Sequence, residues 1–87
     1  MNTQAKTLAI KETQPINFSI IQALVDNLVL VSDEEIHNAS SWLWEELAIA
    51  TELSGATAMA AILTQKIKLN INDRVCVIVC GAGLDFL

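Results

Sequence analysis

The sequence has 87 residues, a length that corresponds to one domain or part of one. Hydrophobic residues make up 53% of the chain and charged residues 17%, and the mean hydropathy is +0.46. These values exclude intrinsic disorder, which requires low hydrophobicity and high charge. So short a chain buries only about 60–65% of the surface that its unfolded form exposes, and its charged residues are too few to cover the rest. We therefore expect an apolar surface that needs a partner.

The net charge of −5 argues against nucleic-acid and anionic-membrane partners, because an acidic chain is repelled by phosphate groups. The longest runs without charge, residues 13–25 and 53–65, are thirteen residues each, which is shorter than the roughly 18–20 that a membrane span needs. The N-terminus lacks the basic and then apolar pattern of a signal peptide. A cytoplasmic location is therefore expected.

The residue pattern of the first third of the chain predicts an extended lead-in, a helix and a strand. Residues 1–15 are polar and are expected to be an extended lead-in. Residues 17–27 place apolar side chains at helical spacing, starting with Phe18 and Ile21. Residues 28–31 form a short continuous apolar run, which is typical of a strand buried on both faces.

Two further helices follow. Ser32 and Glu35 form a capping-box pattern that starts a helix running to about Ala48, with inward positions that include Leu43 and Leu47. Ser54 is expected to cap a helix over about 55–66, which has no charge before its end and is therefore predicted to be buried all round.

The last strong pattern is the run 75–80, six apolar residues that favour a central parallel strand. Residues 49–51 are a further candidate strand. Strands that alternate with helices predict an α/β fold. We expect a partial three-layer sheet with two or three parallel strands and about three helices, an incomplete part of a larger domain.

Ligands of open α/β sheets bind beyond the carboxyl ends of the strands, where Cys80 is followed by Gly81. The local pattern alone favours a buried structural cysteine in a tight turn over a ligand-binding residue. A second candidate is Glu52, which precedes a capped helix start at Ser54–Ala56. An ordinary solvated acid beside an N-cap is the alternative there.

The two cysteines favour neither a disulfide nor a metal centre. In a strand, Cys76 and Cys80 would lie about 13 Å apart, too far for a disulfide. Zinc needs about four ligands, and the single histidine, His37, is distant in sequence. Cys76 is expected in the core, and a thiol-redox role is disfavoured because both cysteines are predicted to be buried.

At these positions the sequence resembles the C-terminal part of pyridoxal-phosphate-dependent serine/threonine dehydratases, a group that includes serine racemase. Residues 8–12 resemble the family stretch G-L-A-V-K-E, and residues 20–27 resemble I-I-R-E-L-V-D-D. Residues 29–36 are similar to V-x-V-S-E-E-E-I, residues 52–56 to E-P-S-G-A, and residues 79–85 to L-S-G-G-N-V-D. The order and spacing of the five blocks make the match specific, although Leu53, Ala82 and Gly83 depart from it.

The resemblance implies a fold-type II domain, pyridoxal phosphate as cofactor and a role for three residues. Cys80 stands where the family has a serine or cysteine that hydrogen-bonds the pyridine nitrogen. Gly81 matches a glycine against the ring edge, and Glu52 matches a glutamate near the cofactor. A neutral partner at the pyridine nitrogen favours β-elimination of water, so the implied activity is that of a lyase.

The family's Schiff-base lysine and glycine-rich phosphate loop have no counterpart in this sequence, since none of its lysines matches the family motif. We therefore predict a C-terminal fragment, with residues 16–87 as part of one domain, that is inactive alone and lacks the residues to retain the cofactor by itself. Its partner would be the missing N-terminal part of the enzyme or a second copy of the chain. The alternative is a stand-alone interaction or assembly module without catalytic activity. The sequence does not distinguish serine from threonine as substrate.

Overall fold

The computed structural model describes residues 14–85 of the chain. The predicted lead-in and the first block of the resemblance therefore lie, almost wholly, outside the described residues. Within the described part, none of the helices has the length and hydrophobicity to cross a membrane. The elements in chain order are α1 at Pro15–Leu24, α2 at Asp33–Leu47, a 3-10 turn at Leu53–Ala56 and α3 at Thr57–Leu63.

Helix α1 confirms the first predicted helix but is shifted toward the N-terminus. It begins at Pro15, because proline has the right φ for a first helical residue and needs no hydrogen bond there. The Ser19 hydroxyl donates to the Pro15 carbonyl oxygen at 3.1 Å. None of its residues is buried, and it packs against none of the other described elements.

Helix α2 begins with the predicted capping box. The Glu35 N–H donates to Ser32 Oγ at 3.1 Å, and the Ser32 N–H donates to Glu35 Oε1 at 2.7 Å. Leu43 is buried as predicted, whereas the prediction for Leu47 is wrong, since 53% of it is exposed. The helix ends at Leu47, and its C-cap Ala48 adopts a left-handed conformation (φ 55°), so Leu47 lies on the last turn beyond the packed part of the helix.

Helix α3 is shorter than predicted and begins differently. The 3-10 turn occupies the first residues of the predicted helix, and the Ser54 side chain does not act as the N-cap of either element. The prediction of burial all round is also wrong, because Ala60 and Ala61 are buried while Leu63 is 38% exposed. Only the faces of α3 that contact α2 and the 3-10 turn are covered.

The core is small. Its large buried side chains are Ile36, Leu43 and Leu53, and alanines supply the rest. Trp42 packs against this core while partly exposed. Most large hydrophobic side chains outside it are exposed, including Ile71 at 99% and Leu30 at 87%, which agrees with the expected apolar surface.

The two predicted strands are not formed within residues 14–85. Residues 28–31 and 75–80 are neither helix nor strand, and no backbone hydrogen bond joins 75–80 to another described residue. The β-pairing that is present is one isolated antiparallel bridge, between Thr51 and Ala82. A strand is defined by pairing with a neighbour, and the described residues offer these runs no neighbour. The partial parallel sheet is therefore not confirmed.

Candidate functional site

The segment around Glu52 and the segment after Cys80 meet in the structure, although they are about thirty residues apart in sequence. The Glu52 N–H donates to the Gly81 carbonyl oxygen at 2.7 Å, and the Gly83 N–H donates to the Ala50 carbonyl oxygen at 3.3 Å. These hydrogen bonds flank the Thr51–Ala82 bridge. The fold thus joins the two candidate sites that the sequence marked separately.

Gly55 allows the 3-10 turn to approach the backbone of Cys80. A Cβ atom on Gly55 would overlap the Cys80 carbonyl oxygen and would lie 2.7 Å from the carbonyl carbon. Both of these atoms are backbone, so neither can rotate away from an added side chain. Any larger residue at position 55 would push Cys80 away from the turn.

Gly81 lies directly against the Glu52 side chain. It adopts a left-handed φ of 75°, a conformation that glycine tolerates best. A Cβ atom at Gly81 would lie 2.7 Å from Cγ and from Oε1 of Glu52. Cys80, Gly81 and Glu52 therefore occupy one corner of the molecule, which we call the Cys80 corner.

The departure from the family pattern at Gly83 has a structural counterpart. A Cβ atom at Gly83 would lie 3.0 Å from both Cα and N of Glu52. The asparagine that the family has at this position would need a shift of the Glu52 backbone. Glycine here fits the close approach of the two segments.

The Cys80 corner borders an open apolar groove of about 620 Å³. Ser54 and Thr57 are among its lining residues, and no charged described residue lines it. The prediction that both cysteines are buried is wrong: Cys76 and Cys80 are free, exposed and part of the groove lining. They are exposed because the run 75–80 is not covered by a sheet or by a second layer. The rest of the lining includes Val29, Val31, Ala61, Ile62 and Ile78.

Lys66 connects two parts of the described structure, and it is not part of the groove lining. Its Nζ donates to the Leu30 carbonyl oxygen at 2.7 Å and to Glu35 Oε1 at 2.9 Å. The hydrogen bonds from the Ser32 backbone and from Lys66 lower the pKa of Glu35, and they outweigh the opposing effect of desolvation. Lys66 thus ties residues 28–31 to the start of α2.

Asp85 is a residue of this region to which sequence reasoning gave no role. Its Oδ2 accepts a hydrogen bond from the Leu53 N–H at 2.9 Å. Aspartate is a common cap of helix N-termini, but a cap supplied from 32 residues further along the chain leaves no local pattern. Among residues 14–85, no group of three or more His, Cys, Asp or Glu residues could hold a metal ion.

Comparison with known families matches residues 1–81 to the model for pyridoxal-phosphate-dependent enzymes. The chain therefore belongs to this family, whose members use pyridoxal phosphate, and the resemblance seen in the sequence is confirmed. No solved structure matches the chain significantly.

Curated relatives of the chain include dehydratases of amino acids. The catabolic L-threonine dehydratase of Escherichia coli is 38% identical over 80% of this chain and 22% of its own length. The phenylserine dehydratase of Ralstonia pickettii is 34% identical over 98% of this chain and 26% of its own length. The serine racemase of Dictyostelium discoideum is 37% identical over 80% of this chain and 22% of its own length. The chain thus spans about a quarter or less of the relatives it matches.

The described residues fit one edge of the cofactor and not its other end. The exposed Cys80 thiol on an uncharged groove is suited to a neutral hydrogen bond with a ring nitrogen, whereas the space beside Gly81 holds the Glu52 side chain. A phosphate group needs cations or a cluster of backbone N–H groups, and the groove lining contains no lysine, arginine or histidine. The groove lining could therefore contact the ring of the cofactor, but it lacks the groups that would hold the phosphate.

Proposed function

We propose that the chain is the C-terminal part of a pyridoxal-phosphate-dependent serine/threonine dehydratase. Such an enzyme is an ammonia-lyase that converts a hydroxy amino acid to a 2-oxo acid and ammonia. The names of the relatives support the chemistry, and their length supports fragment status, since the chain matches only 20–26% of each of several relatives. Alone, the chain is inactive and does not retain the cofactor.

The observation that carries this proposal is the Cys80 corner. Two segments that belong to separate family motifs meet through the Glu52–Gly81 hydrogen bond and the contact between Gly55 and Cys80. The result is a thiol at the edge of an apolar groove, held by backbone contacts. An assembly module without a cofactor would have no need of this arrangement.

Each residue of the corner has a role in the proposal. Pyridoxal phosphate, when bound, supplies the electron sink for the elimination of water. The Cys80 thiol hydrogen-bonds the pyridine nitrogen without giving it a full positive charge, which favours elimination over transamination. By the family resemblance Gly81 would lie at the ring edge, and the Glu52 side chain lies directly against Gly81.

The partner in this proposal is the missing N-terminal part of the same domain, which brings the lysine and the phosphate loop. Its strands would pair with residues 28–31 and 75–80 and complete the parallel sheet. In both runs the exposure alternates: Val31 and Val79 pack against the core, whereas Leu30 and Ile78 are 87% and 75% exposed. Such alternation suits strands that already have one covered face. A cytoplasmic location belongs to the same proposal.

The test combines this chain with the remainder of the Escherichia coli catabolic L-threonine dehydratase, from which the matching segment is deleted. Formation of 2-oxo acid from L-serine and L-threonine is measured with pyridoxal phosphate present. We expect no activity from either piece and activity from the pair. Cys80→Ala should lower the activity of the pair at least about tenfold, while Cys80→Ser restores most of it.

Cys76→Ser is the matched control, because Cys76 is the other exposed thiol of the groove and should not affect activity. Deamination by the 87-residue chain alone would contradict the proposal. A stable pair without activity or cofactor would favour the assembly module instead.

A further inference from the structure

The N-terminus of the 3-10 turn is capped by a residue from the far end of the chain. The turn begins at Leu53, and its N-cap residue, Glu52, provides no side-chain hydrogen bond to it. The first N–H groups of a helical segment have no partner within the segment. Asp85 supplies one, since its Oδ2 accepts the Leu53 N–H at 2.9 Å.

We propose that Asp85 is a positioning residue that holds the Cys80 thiol at the groove. Asp85 fixes Leu53 at the start of the turn, and Gly55, two residues later, contacts the Cys80 backbone. Because Leu53 is only 5% exposed, water cannot easily replace the carboxylate at its N–H. Asp85 is not part of the groove lining, so it acts through the turn and does not touch a ligand.

Asp85 contributes a side-chain hydrogen bond between the two segments. The hydrogen bonds from Glu52 to Gly81 and from Gly83 to Ala50 run between backbone atoms and survive substitution of side chains. Loss of the carboxylate should therefore loosen the loop 81–85 from the turn. The cofactor role of Cys80 rests on the function proposed above, whereas the position of its thiol can be tested without it.

The experiment uses the 87-residue chain and a thiol-labelling reagent. Cys76→Ser leaves Cys80 as the only thiol, and Cys80→Ser leaves Cys76 as the matched reporter on the same groove. With Asp85→Ala we expect Cys80 to be labelled at least about threefold faster, because the freed loop samples open states, and Cys76 to be labelled at an unchanged rate. Asp85→Asn retains an acceptor oxygen and should label like the unsubstituted chain.

Equal acceleration at both cysteines would overturn the inference, since it would mean general loosening or unfolding. An unchanged rate at Cys80 would overturn it as well. The labelling rates do not depend on enzymatic activity, so the labelling experiment is independent of the complementation experiment. If the complemented pair is active, Asp85→Ala should raise the cofactor concentration for half-maximal activity about tenfold with Cys80 present and less than twofold in the Cys80→Ala background.

Discussion

At the scale of single residues, the Cys80 corner depends on glycines at which an added side chain would collide with neighbouring atoms. Gly55 faces the carbonyl group of Cys80, which cannot rotate away. Gly81 faces the flexible end of the Glu52 side chain. At Gly55 the constraint is the rigid backbone neighbour, whereas at Gly81 it is the left-handed φ of 75°, which strains any other residue.

We expect Gly55→Ala to destabilise the chain by about 1–3 kcal/mol, as overpacking against a rigid neighbour does. The free energy of unfolding would be measured by urea titration with far-ultraviolet circular dichroism. Gly83→Ala is the comparison, since its Cβ atom would lie 3.0 Å from Glu52 backbone atoms and needs a smaller shift. A larger loss for Gly83→Ala than for Gly55→Ala would contradict this ranking.

At the scale of elements, the capping box of α2 is the best defined local structure. We expect Ser32→Ala to lower the free energy of unfolding by about 1 kcal/mol, because the Glu35 N–H loses its acceptor. Ser41→Ala, in the middle of the same helix, should cause no loss. Thermal or urea unfolding of both variants checks the prediction, which fails if the two changes are equivalent.

The stability of α2 should also depend on pH through Glu35. Because the folded state lowers the pKa of Glu35 below its ordinary value of 4.5, the stabilisation is present above that value. It is lost as the pH falls through the lower pKa of the folded state. Urea unfolding at pH 7 and at pH 3 should therefore show a smaller loss for Glu35→Gln than for the unsubstituted chain.

Glu34→Gln is the control for this pH effect, since Glu34 is exposed and lies beside Glu35 in the same turn. Glu34→Gln leaves the Ser32–Glu35 capping box in place, so its unfolding should still show the acid-sensitive loss that Glu35 contributes. Lys66→Met should reduce the effect in part, because it removes the ion pair at 2.9 Å but keeps the capping box. If all three variants lose the same stability between pH 7 and pH 3, Glu35 is not the source of the pH dependence.

At the scale of the whole molecule, exposed apolar surface dominates. Ile71 and Ile78 are 99% and 75% exposed, but only Ile78 lines the groove. We expect Ile78→Lys to prevent pairing of the chain with the dehydratase remainder, because a charge would be buried in the new interface. Ile71→Lys should leave pairing intact, and analytical ultracentrifugation of the mixtures distinguishes the two.

The chain alone should bind the dye ANS, because the small core leaves many large hydrophobic side chains exposed. The fluorescence should fall when the remainder of the enzyme is added and the groove is covered. A chain that binds no dye and unfolds in one sharp transition would point to a self-sufficient module.

The sequence by itself determined the features that depend on neighbours within a few residues. Helices α1 and α2, the hydrogen bonds of Ser32 and Glu35, and the family motifs could all be predicted, because turns, caps and apolar periodicity are local. Burial was predicted less well. The residues expected to be buried but found exposed are Leu47, Leu63 and both cysteines. An apolar run indicates that a surface is suited to burial, but it does not indicate whether another element covers that surface.

Only the tertiary structure decided that Glu52 lies against Gly81, that Gly55 meets Cys80 and that Asp85 caps a turn 32 residues away. These contacts join segments distant along the chain, so their existence depends on how the elements pack. The runs 28–31 and 75–80 also show that structure depends on distant parts of the chain. Their composition favours strands, but a strand exists only when a second backbone accepts and donates its hydrogen bonds.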